Sequence, residues 1–96
     1  MDKRTQGLLR ALIYPIQFEK DPTAVADKVI EWVVEGGALK GTRMEYQAAV
    51  NTGLGSDERL SDLIPQDHSE SVIRAYLQEV QRGLESLIRA TGGSDT

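Results

Sequence analysis

Apolar residues along this chain recur mostly at three- and four-residue spacing, and Pro, Gly and capping side chains cut the pattern into helical lengths. From roughly Asp2 to Tyr14, the residues Leu8, Leu9, Leu12 and Ile13 form one stripe. Asp2 is a candidate cap, and Pro15, which has no N–H to donate, ends or kinks that helix. Ile16 and Phe18 are expected to enter the core from the connection. Asp21-Pro22 starts a second helix with a capping carboxylate and a proline at the first helical position. Val25, Val29, Trp32 and Val33 make its apolar side. The β-branched run from Val29 to Val34 would also suit a strand. The cap and the distance to the Gly36-Gly37 stop favour helix.

Thr42-Arg43-Met44-Glu45 has the spacing of a capping box and opens a third helix with Met44, Ala48 and Val50 as its apolar positions, ending near Gly53. Ser56 followed by Asp57 and Glu58 predicts a short fourth helix, with Leu60, Leu63 and Ile64 inward and Pro65 as its end. The last stripe is the longest. Asp67-His68-Ser69-Glu70 repeats the capping-box spacing, and Val72, Ile73, Tyr76, Leu77, Val80, Leu84, Leu87 and Ile88 follow with helical period. Gly83 inside it costs ~1 kcal/mol against Ala. The pairs Glu70–Arg74 and Glu85–Arg89 are each worth ~0.3–0.5 kcal/mol as isolated helix contacts. Together these elements predict an all-α fold: an irregular bundle of four to five helices with a long C-terminal helix. It forms a single domain over residues 1–96, with a flexible tail over 92–96.

Composition agrees with a folded domain: 40% of the 96 residues are apolar and 27% charged. No apolar run approaches the ~20 residues of a membrane span. Leu8 to Ile13 is too short, and too interrupted by Arg10, for a secretory core, and the chain has no cysteine. A cytoplasmic protein is expected. Charge adds a second feature. The net charge is −4, and residues 31–70 hold the excess, with Glu31, Glu35, Glu45, Asp57, Glu58, Asp62, Asp67 and Glu70 against Lys40, Arg43 and Arg59. A surface of that sign repels phosphate backbones and attracts basic partners.

Candidate chemistry is sparse. His68, the one imidazole, lies at a helix start and reads as decoration of a first turn rather than as a proton shuttle. A single His without Cys excludes the usual zinc sets, and no EF-hand spacing occurs. Asp57, Glu58 and Asp62 could be drawn as a Mg²⁺ site, but acids at a first turn already account for them. The glycine stretches at 36–41 and 53–55 match no phosphate-binding loop, and the serines lack a nucleophile-elbow context. A helix-turn-helix drawn around Gly53-Leu54-Gly55 would read DNA with one Arg and three acids, the wrong balance for phosphate. The expectation is therefore a protein that is not an enzyme, with no cofactor, no metal and no direct nucleic-acid contact. Its candidate partner-binding residues are Glu31, Glu35, Tyr46, Asp57, Glu58, Asp62, Asp67 and Glu70. Tyr14, Trp32 and Tyr76 are the other aromatics that would mark an interface if exposed, and Trp32 and Tyr76 fall on core stripes.

The stretch Leu60-Ser61-Asp62-Leu63-Ile64-Pro65-Gln66-Asp67-His68-Ser69-Glu70-Ser71-Val72-Ile73-Arg74, together with size and charge, resembles small bacterial immunity proteins of contact-dependent growth-inhibition systems. The resemblance implies a non-enzymatic inhibitor of a cognate toxin domain, commonly a nuclease. Two alternatives stay open: a phage-type inhibitor of a nucleic-acid-guided defence complex, and a self-associating module that forms a homodimer through the Val72–Ile88 stripe.

Overall fold

Four of the five expected stripes become α-helices: α1 (Lys3–Ile13), α2 (Pro22–Glu35), α3 (Arg43–Leu54) and α4 (Glu70–Leu87). Two 3-10 turns, Tyr14–Ile16 and Leu60–Asp62, lie in the connections. The computed structural model describes residues 2–35, 43–64, 66 and 68–87, and among these no strand occurs. The all-α class and the long C-terminal helix are as the spacing predicts. The expected stops at Gly36-Gly37 and Gly92-Gly93, the Thr42 cap, Arg89 and the tail lie outside the described residues.

Each helix buries one face. α1 contributes Leu8, Leu9, Leu12 and Ile13; α2 contributes Ala26, Val29, Ile30 and Val33; α4 contributes Ile73, Tyr76, Leu77, Val80 and Leu84. α4 is the hub, packing on α2, on α3 and on the 3-10 turn at Leu60, while α1 lies against α3. Trp32 is half-buried against this core, and Tyr76 is fully inside it. The Tyr76 hydroxyl donates to the Leu12 carbonyl at 2.6 Å. That carbonyl belongs to the last turn of α1, where helix carbonyls lack intrahelical donors, so the phenol satisfies a group that the helix end leaves short. Burial pushes the Tyr76 phenol well above its ordinary pKa.

Two glycines set helix spacing. A Cβ on Gly83 would overlap Ile30 Cδ1, and a Cβ on Gly53 would come within 2.9 Å of Leu9 Cδ1. Gly83 therefore lets α4 approach α2, and Gly53 lets α3 approach α1.

Several expectations are corrected. Phe18 is 90% exposed, whereas Ile16 is buried. After Pro15 the chain turns tightly, so only one of the two apolar residues can point inward. The buried stripe of α3 is Tyr46, Ala49, Val50 and Gly53, which leaves Met44 and Ala48 exposed. The helix expected from Asp57 to Ile64 does not form. Its place is taken by irregular, bent chain and the single 3-10 turn at Leu60–Asp62. At α4 the cap is Ser69, whose Oγ accepts the Val72 N–H at 3.3 Å. The expected cap, Asp67, lies outside the described residues. At α1 the expectation holds, since Asp2 accepts the Thr5 N–H at 2.8 Å.

Candidate docking surface

The connection between α3 and α4 carries three exposed acids, Asp57, Glu58 and Asp62, and its shape is fixed by two side chains of α4. Leu60 is buried and anchors the middle of the segment. The Arg74 guanidinium then gathers the backbone before it. It donates to the carbonyls of Leu54 at 3.1 Å, Ser56 at 2.9 Å and Glu58 at 3.0 Å, and to Glu70 Oε2 at 2.8 Å. Leu54 is the last residue of α3, so Arg74 also satisfies a carbonyl that the helix end leaves without a partner. Glu70 grips the other side, accepting the N–H groups of Leu60 at 3.0 Å and Ser61 at 2.8 Å. These are the first donors of the 3-10 turn, which the Glu70 carboxylate caps from the first residue of α4.

Electrostatics follow from that geometry. Partial burial alone would raise the Glu70 pKa. The Ser61 and Leu60 N–H groups and the Arg74 guanidinium outweigh it and hold the carboxyl down at about 2. The pair is about three-quarters buried, with side-chain exposures of 26% and 24%, so its attraction is screened less than that of a surface pair. Neighbouring contacts lock the rest of the segment. Glu58 N–H donates to Ser56 Oγ at 2.9 Å, Gln66 Nε2 donates to the Ser61 carbonyl at 2.9 Å, and His68 N–H donates to Gln66 Oε1 at 2.6 Å. His68 Nε2 bonds the Ile16 carbonyl at 2.9 Å, tying the segment to the α1 corner. That is a structural role, in keeping with its position at a helix start.

Of the eight candidate partner-binding residues, Asp57, Glu58 and Asp62 come together on this segment and are exposed, and Glu31 is exposed separately on α2. Asp62 faces Arg59 at 3.5 Å, both largely in solvent, an arrangement worth little energetically. Glu70 points inward as a positioning group rather than outward to a partner. Tyr46 has no exposed surface and belongs to the core, which removes it from the docking set. The Glu35 side chain and Asp67 lie outside the described residues.

Reading from sequence missed two things. Arg74 was visible only as half of a helix pair, because its backbone acceptors lie 16 to 20 residues earlier in a stretch expected to be helical. Phe18, expected in the core, is exposed three residues after Pro15, and no periodicity spans that break; Tyr14, named as an interface marker if exposed, is exposed. Among the described residues no group of three or more His, Asp or Glu could hold a metal ion, and no helix is long and apolar enough to cross a membrane. Comparison with protein-family models, curated proteins and solved structures found no match.

Proposed function

We propose that this chain is a non-catalytic binding protein that presents the pinned acidic segment from Ser56 to Asp62 to a basic protein partner in the cytoplasm. In this reading it neutralises a nuclease-type toxin domain in the manner of an immunity protein. One observation carries it. Asp57, Glu58 and Asp62 project from a backbone held at five points by Arg74 and Glu70, so the charges reach a partner without first having to be ordered. Enzymes that bind nucleic acid present basic clefts, and fixed carboxylates steer association with such clefts and occupy phosphate positions.

The test uses the full chain as bait in lysate of the organism that encodes it, beside the variant Asp57→Lys/Glu58→Lys/Asp62→Lys. The wild type is expected to retain a basic, nucleic-acid-cleaving protein at equal stoichiometry and to suppress its cleavage. The variant, with unchanged helicity, is expected to associate about 10- to 100-fold more slowly, with a shallower salt dependence. A partner that binds both proteins at the same rate, or one whose cleavage is untouched, overturns the reading.

A further inference from the structure

We draw no further inference here: the strongest candidate, the surface patch at the C-terminal end of α1 where the exposed rings of Tyr14 and Phe18 stand by the open groove between Gly7, Arg10 and Ile64, carries nothing because nothing in the structure shows what covers it.

Discussion

Gly83 shows how a residue's role changes once its neighbours are known. In isolation it is a weak point in a helix, ~1 kcal/mol poorer than alanine. Packed, it faces Ile30, whose Cδ1 occupies the space a methyl group would need. Gly83→Ala should therefore lower stability in urea unfolding by about 1–2 kcal/mol, despite the better helix former, because the buried Ile30 has to shift. Adding Ile30→Val removes that Cδ1 and should return most of the loss; a simple sum of the two single effects would show the contact to be unimportant. The same scale explains the misplaced side chains. Tyr46, Ala49, Val50 and Gly53 are themselves spaced for one helix face. Two of them are small, and Met44 and Ala48 looked equally suitable. Phe18 could not be placed because hydrophobicity alone says nothing about direction after a tight turn.

Among elements, α1, α2 and α4 were legible because each has a stripe of aliphatic residues and a recognisable start. The segment from Asp57 to Ile64 was not. Its acids and apolar residues fit a helix, but eight residues before Pro65 cannot sustain one without packing support, and contacts from α4 stabilise a different backbone. That support carries a pH signature. The Glu70 carboxyl sits at about 2 in the folded chain against an ordinary 4.5. Because the folded value is the lower one, its stabilisation is complete above about pH 4.5 and is lost as pH falls toward 2. The amount is on the order of 2–3 kcal/mol at neutral pH, since the group is only a quarter exposed. Glu70→Gln should lose most of this at pH 7 and show a flatter acid-unfolding profile between pH 4.5 and 2. An unchanged slope would mean that the carboxylate grips nothing. Arg74→Lys should not substitute for Arg74, since one ammonium cannot serve acceptors on four residues at once.

Across the whole molecule, stability is centred on α4, which touches α2, α3 and the Leu60 turn. Amide exchange should accordingly be slowest between Ile73 and Leu84 and faster along α1, which rests mainly on α3. Equal protection in α1 and α4 would contradict that centre. The fold class was readable because helix periodicity and caps agree over most of the chain, and the acidic middle was readable from charge alone. What could not be read was how a helix 9 to 20 residues further along would hold that middle. The hold has a consequence for change over generations. Arg74 and Glu70 grasp amides and carbonyls, which every residue other than proline supplies alike, and not the side chains attached to them. Side chains such as that of Asp57 can thus be rewritten for a different target while the loop keeps its contour, much as type can be reset in an unchanged frame.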